Sequence, residues 1–140
     1  KDLSEPFPNI GIRSTGFMMD RKMFLEMGGR NIMVRWQEND FEAGSNGMTK
    51  QIMRRGLKPV IIDRWGKTWH IEDWPRSKTF RSGFQEGALI KDNRTYQYDV
   101  LSNKKRRWLA EINWGTAEYV PWASPIRRLD AYLDWHYRGK

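Results

Sequence analysis

An α/β domain followed by a basic, aromatic extension that ends in an amphipathic helix is the fold class this 140-residue sequence predicts. Three observations predict it. Good helix formers from Met48 to Arg55 stop at Gly56 and run directly into Lys58-Pro-Val-Ile-Ile62, and a helix feeding a β-branched strand implies α/β or α+β packing. Aromatic residues make up 14% of the chain, which separates it from disordered chains of similar polarity. Near the C-terminus, Ser124-Pro125 forms a strong helix start, and Ile126, Leu129, Leu133 and Tyr137 then recur on one helical stripe.

In chain order, Ile10 to Met19 alternates enough to predict a strand, whose Gly11 and Gly16 allow close backbone approach. Asp20 is placed to cap a short helix over Arg21–Met27, with Phe24 and Met27 as core residues and Gly28 as a left-handed stop. The helix from Met48 is expected to end in a Schellman motif at Gly56, with Leu57 packing back on Ile52. Pro59 sits near the start of the following strand, where a missing amide donor is tolerated. Beyond His70 the composition shifts. A basic stretch with Arg76, Lys78, Arg81 and Gly83 reads as a mobile loop, and Phe84–Ile90 as a short helical patch. The alternation of Tyr96, Tyr98 and Val100 reads as a half-buried strand, and Lys104–Arg107 as a solvated cationic turn. The terminal stripe is expected to dock on the body of the protein, with Trp135 on the opposite face. The expected division is 1–75 and 76–140.

Charge narrows the partners. Twenty-five Lys and Arg against 17 Asp and Glu give +8, which favours a nucleotide, a nucleic acid or an anionic membrane surface. The chain has no Cys, which excludes disulfides, thiolate metal sites and a Cys nucleophile. No run approaches the ~20 apolar residues of a spanning helix, and no secretory leader is visible. The expected location is therefore cytoplasmic, with peripheral attachment to a membrane left open. Lys1 in place of an initiator Met points to a partial chain.

The acidic triplet Glu38-Asn39-Asp40 stands out in this basic chain, between Gly28-Gly29 and the helix that ends at Gly56. Its bland reading is a solvated cap on the following helix. The order of parts around it is strand, Arg-rich helix, Gly-Gly, acidic triplet, helix, Arg54-Arg-Gly56, hydrophobic strand, then Trp69-His70. From Ile10 to His70 that order resembles the C-terminal half of a GT-A fold glycosyltransferase similar to family 2. The resemblance implies a partial GT-A-like mixed sheet with flanking helices. It also implies an inverting enzyme in which a carboxylate, Asp40 or Glu38, takes the proton from an acceptor hydroxyl. It places His70 at a metal ligand or donor-phosphate contact, with Mn or Mg as the cation. The Gln-x-x-Arg-Trp signature of processive synthases is not met, because Lys104 precedes Arg107-Trp108, so polymer synthesis is disfavoured.

The chemistry is coherent with the residues. A positioned carboxylate contributes about 10²-fold or more to attack by a poor hydroxyl nucleophile. A departing nucleoside diphosphate needs cationic donors, for which Arg76, Lys78 and Arg81 are candidates. Trp65, Trp69 and Trp74 flank His70 and offer flat faces for a sugar ring or base. The donor is a nucleotide sugar, and its βαβ-binding half, with an Asp-x-Asp motif, would lie in a missing N-terminal half or a second chain. The competing reading is a basic, Trp-rich nucleic-acid-binding module without catalysis, in which Lys104–Arg107, Arg127 and Arg128 track phosphates and exposed Trp rings stack on bases.

Overall fold

A computed structural model of the chain describes residues 11–12 and 15–138. The chain is a mixed α/β protein in which helices dominate, and it divides into two compact units, Ile10–Pro59 and a second beginning at Val60. The boundary at Pro59 differs from the expected one at 75/76, which falls inside a 3₁₀-helix, Ile71–Ser77.

The first unit is helical. Asp20 accepts the Met23 amide at 2.9 Å and caps α1, Arg21–Glu26. Gly28, at φ 93°, then turns the chain into a 3₁₀ turn, Gly29–Asn31. Two further helices follow, α2 at Arg35–Ala43 and α3 at Met48–Arg54. The α3 terminus is a Schellman motif: the Leu57 amide reaches Ile52 O at 3.3 Å, the Gly56 amide reaches Met53 O at 2.9 Å, and Gly56 has φ 72°. Leu57 itself stays exposed. Met27, Met48 and Ile52 form the core, with Ile12, Met19, Met23 and Phe41 packed on it. Gln51 ties the unit together from inside by donating to Met27 O and Asn46 O.

The strand expected at Ile10–Met19 does not form among the described residues. Ile10 and the Arg13-Ser14 pair lie outside them, and the Ile12 amide is spent on Thr49 Oγ1 at 2.8 Å rather than on a ladder. The strand after α3 shortens to β1, Ile61–Ile62, paired antiparallel with β2, Thr68–Trp69. Among the described residues this hairpin is the whole sheet, in place of the mixed sheet expected. The shortening has a local cause. Asp63 is buried, and its Oδ1 accepts the Trp65 and Lys67 amides at 3.0 Å each, so the chain folds back immediately after Ile62.

The second unit continues through the 3₁₀-helix and a loop into α4, Asn93–Val100; α5, Asn103–Trp114; and α6, Pro125–Arg138. The strand expected at Tyr96–Val100 is therefore a helix. Asp92 accepts the Arg94 and Thr95 amides, and Thr95 Oγ1 accepts the Asp92 amide in return, a reciprocal cap that outweighs the aromatic alternation. Tyr98, Ala110, Ala117 and Val120 form this unit's core, with Leu109 and Trp114 against it. Lys104–Arg107 lies in the first two turns of α5 rather than in a turn between elements. Its Arg106 is fully buried, donating to Gly83 O at 2.6 Å and Pro121 O at 3.2 Å, with its guanidinium over the Phe84 and Tyr98 rings.

Helix α6 begins as expected, with the Arg127 amide on Ser124 Oγ at 3.2 Å, but it is rotated relative to expectation. Ile126, Leu129, Leu133 and Tyr137 are exposed, so the stripe does not dock. The side toward α4 is Arg127, Asp130, Ala131 and Asp134, which line a groove with Asp99 that Leu133 and Tyr137 also border. The Trp135 side chain, expected opposite the stripe, lies outside the described residues.

Candidate functional site

The acidic triplet is inside α2, not ahead of a helix as a cap. Gln37 explains the helix start: its Oε1 accepts the Met33 amide at 2.7 Å and the Val34 amide at 3.1 Å, and no Gly or Pro interrupts Arg35–Ala43. Phe41 anchors the helix by an edge-on contact with Phe24, ring centres 5.8 Å apart. Residues two apart on a helix differ by about 200° of rotation, so Glu38 and Asp40 point to nearly opposite sides. They do not share one pocket. Both are exposed, yet Asp40 has the more constrained setting. A Cβ at Gly44 would overlap Asp40 Oδ1, so the missing side chain makes room for the carboxylate beside the Gly44–Gly47 turn. Gly44 has φ −71°, so its role here is space rather than backbone freedom.

His70 is exposed and precedes the 3₁₀-helix Ile71–Ser77, its carbonyl accepting the Asp73 amide at 2.9 Å. It belongs to the second compact unit, whereas Glu38 and Asp40 belong to the first. Of the three Trp residues around it, Trp65 is exposed, with the Arg64 guanidinium 5.8 Å from its ring centre. Trp69 is held by its indole N–H, which donates to Asp63 Oδ2 at 2.9 Å, and Lys67 Nζ covers its ring at 3.7 Å. Trp74 is only 2% exposed and donates to Trp69 O at 3.2 Å, so it is a core residue with no face open to a sugar. Asp63, which sequence reasoning passed over, organises this hairpin. Burial alone would raise its carboxyl, but the Trp69 indole, the Lys67 and Trp65 amides and the Lys67 charge together hold it below the ordinary aspartate value.

The stretch after the 3₁₀-helix is neither a mobile loop nor, at Phe84–Ile90, a helical patch. It is a buried, heavily bonded loop. Gly87 closes it on Lys78 O at 3.0 Å, the Gly83 amide reaches Tyr119 O at 2.7 Å, and Trp114 Nε1 reaches Phe80 O at 3.0 Å. Ser82 Oγ donates to Pro75 O. Gln85, fully buried, accepts the Arg81 amide at 3.0 Å and donates to Thr95 O at 2.8 Å and Asp99 Oδ1 at 2.9 Å. Within this loop Lys78, Arg81 and Gln85 all adopt left-handed backbone, at φ 55°, 47° and 54°. Each such non-Gly residue costs about 1–3 kcal/mol and persists only where the surroundings over-determine it. The bonds just named are those surroundings.

The three candidate phosphate cations have different fates in this loop. Arg76 pairs with Asp73 at 3.1 Å, and Lys78 pairs with Glu86 at 2.9 Å. Burial opposes the ionised form of Glu86, but its own amide, Lys78 and the Phe84 amide outweigh it and hold its carboxyl below the ordinary value. Arg81 is half-buried, lies over Phe80, and has a buried Nε with no hydrogen-bond partner. Burial, followed by the charge of Arg94, pushes its guanidinium below its ordinary value, while Asp92 and Tyr98 oppose this. Beneath it, burial pushes the Tyr98 phenol up to about 12, against the pull of Arg106. Arg81 is thus the member of the trio with a buried nitrogen that has no hydrogen-bond partner.

The cations expected to track nucleic-acid phosphates are also partly engaged. Arg106 is buried, Arg107 donates to Val120 O at 3.3 Å, and Arg127 lies 3.5 Å from the centre of the Phe84 ring. Lys104 and Lys105 are exposed, as is Trp108 one turn further along α5. Among the described residues no group of three His, Asp or Glu side chains is placed to hold a metal ion. No family model, no curated protein and no solved structure matches this chain.

Proposed function

We propose that the chain is the acceptor-side, catalytic-base part of an inverting glycosyltransferase that uses a nucleotide-sugar donor, on a partial GT-A-like fold. The observation that carries this reading is the loop that follows His70. Three left-handed non-Gly residues within eight positions, two of them cationic, form a rigid structure maintained against its own strain, and such strain clusters where a ligand must be met in a fixed geometry. Its Arg81 guanidinium, half-buried and lying over Phe80, is a cationic donor of the kind that suits a phosphate oxygen.

In the proposed reaction the Asp40 carboxylate accepts the proton of the acceptor hydroxyl as that oxygen bonds to the anomeric carbon. The bond from that carbon to the phosphate oxygen breaks on the opposite face, and its electron pair leaves with the nucleoside diphosphate. The departing charge calls for a cationic hydrogen-bond donor; within the second unit, taken by itself, Arg81 is the candidate for that role, and the same unit's exposed Trp65 offers a flat face to a ring. Helix geometry puts Glu38 and Asp40 on nearly opposite sides, so one of them is the base, and the space that Gly44 leaves supports Asp40. A divalent cation would need ligands beyond those the described residues group together, so no step here runs through one.

The test is donor turnover by the full-length enzyme across a panel of nucleotide sugars, read as release of nucleoside diphosphate that depends on acceptor. Arg81→Met is expected to raise the donor KM at least about tenfold, the loss of one charge-assisted phosphate contact. An unchanged KM would remove Arg81 from the site, and the absence of turnover with every donor would overturn the reading.

A further inference from the structure

Helix α6 exposes more apolar surface than its packing uses. Its inward side is mixed: Arg127, Asp130, Ala131 and Asp134, with Leu133 and Tyr137 at the rim, line a groove of about 640 Å³ with Phe84, Lys91 and Asp99. Its outward side presents Ile126, 72% exposed, and Leu129, 56%, while Leu133 and Tyr137, 75% exposed, stand at the rim of the groove. Just before the helix stands Trp122, 78% exposed.

The position of Trp122 is fixed. Asn103 Nδ2 donates to Ala123 O at 3.0 Å, and the Ala123 amide donates to Asn103 Oδ1 at 2.7 Å, a buried reciprocal pair. Arg106 and Arg107 donate to Pro121 O and Val120 O. These four bonds strap residues 120–123 to the first turns of α5, where Lys104, Lys105 and Trp108 are exposed. An indole, an aliphatic stripe and a lysine pair therefore occur together within one compact unit.

We propose that this face docks on an anionic membrane surface, with α6 lying in the plane of the interface. Ile126, Leu129 and Leu133 have no flat face to stack on a base, but they gain from entering the acyl boundary, while Trp122 and Tyr137 at the two ends suit the headgroup level. At 14 residues α6 is too short to span, and among the described residues no helix is long and apolar enough to cross a membrane. Lys104 and Lys105, exposed on α5 in the same compact unit of a chain of net charge +8, supply the complement to anionic lipid. This inference is independent of the transferase reading.

The experiment is co-sedimentation of the full chain with phosphatidylcholine vesicles, with and without phosphatidylserine. Binding is expected to need the anionic lipid and to weaken with salt. Leu129→Glu, an exposed position whose circular dichroism should match wild type, is expected to lower partitioning at least about tenfold. Lys104→Glu with Lys105→Glu should lower it by about fivefold or more per position. Three results would overturn the proposal: no vesicle binding, equal binding to neutral and anionic vesicles, or binding that Leu129→Glu leaves intact. A single-stranded oligonucleotide held more tightly than the vesicles, and lost only with the lysines, would replace the membrane with nucleic acid.

Discussion

Replacing Gln85 tests whether the loop after His70 is a strained structure held by its own side chains. From a fully buried side chain Gln85 makes three hydrogen bonds, with the Arg81 amide, Thr95 O and Asp99 Oδ1, of which the one to Thr95 is itself buried. Its alanine variant leaves those groups without this partner and opens a small void. Asp99 keeps its ion pair with Lys91 at 2.9 Å, so the cost rests mainly on the other two groups. At 1–3 kcal/mol for each buried group left unmet, the loss of stability is expected to be about 3 kcal/mol. Gln85→Gly removes the same bonds but also the Cβ that makes φ 54° unfavourable. It is therefore expected to be about 1 kcal/mol more stable than Gln85→Ala. Urea denaturation followed by circular dichroism and Trp fluorescence gives both numbers. An alanine variant within about 0.5 kcal/mol of wild type would show that Gln85 does not hold the loop. A glycine variant less stable than the alanine variant would show that the backbone is not strained there.

Two further outcomes follow from the same geometry. Gly44→Ala places a methyl group on the Asp40 carboxylate and 2.5 Å from the Asp40 backbone carbonyl, so it is expected to cost about 1–3 kcal/mol through the backbone clash and, on the proposed function, to lower transfer by displacing the carboxylate; unchanged stability and turnover would refute the packing argument. Asp63 has a folded-state pKa below its unfolded one, so its stabilisation is present above the unfolded value of about 3.9 and is lost as pH falls through the lower folded value. In Asp63→Asn that acid-sensitive component should vanish from the pH dependence of the urea midpoint, and an identical pH profile in wild type and variant would refute it.

What the sequence revealed and what it hid divide along physical lines. Local signals carried through: Asp20 capping α1, Gly28 and Gly56 in left-handed backbone, Ser124-Pro125 opening α6. Each depends on a few neighbouring residues and no tertiary partner. The acidic triplet was legible as unusual, but not as helical, because Gln37 caps α2 from inside the helix rather than ahead of it. The alternation of Tyr96, Tyr98 and Val100 suggested a strand, and the Asp92 cap overrode it. The amphipathic stripe of α6 was read correctly as a stripe and wrongly as buried, because its orientation depends on Arg127 and Phe84, partners far apart in sequence. Gln85 and Arg106 were invisible as organisers. Polar residues rarely read as core, and left-handed backbone at non-Gly positions leaves no mark in composition.

The central proposal, that Asp40 is the acceptor base, is tested most directly by comparing Asp40→Asn with Glu38→Gln in a single-turnover transfer assay. Asp40→Asn is expected to slow the chemical step by about 10²-fold or more with an unchanged urea midpoint, and Glu38→Gln, on the other side of α2, to remain within about twofold of wild type. Wild-type turnover in Asp40→Asn, or the larger loss in Glu38→Gln, would contradict the account.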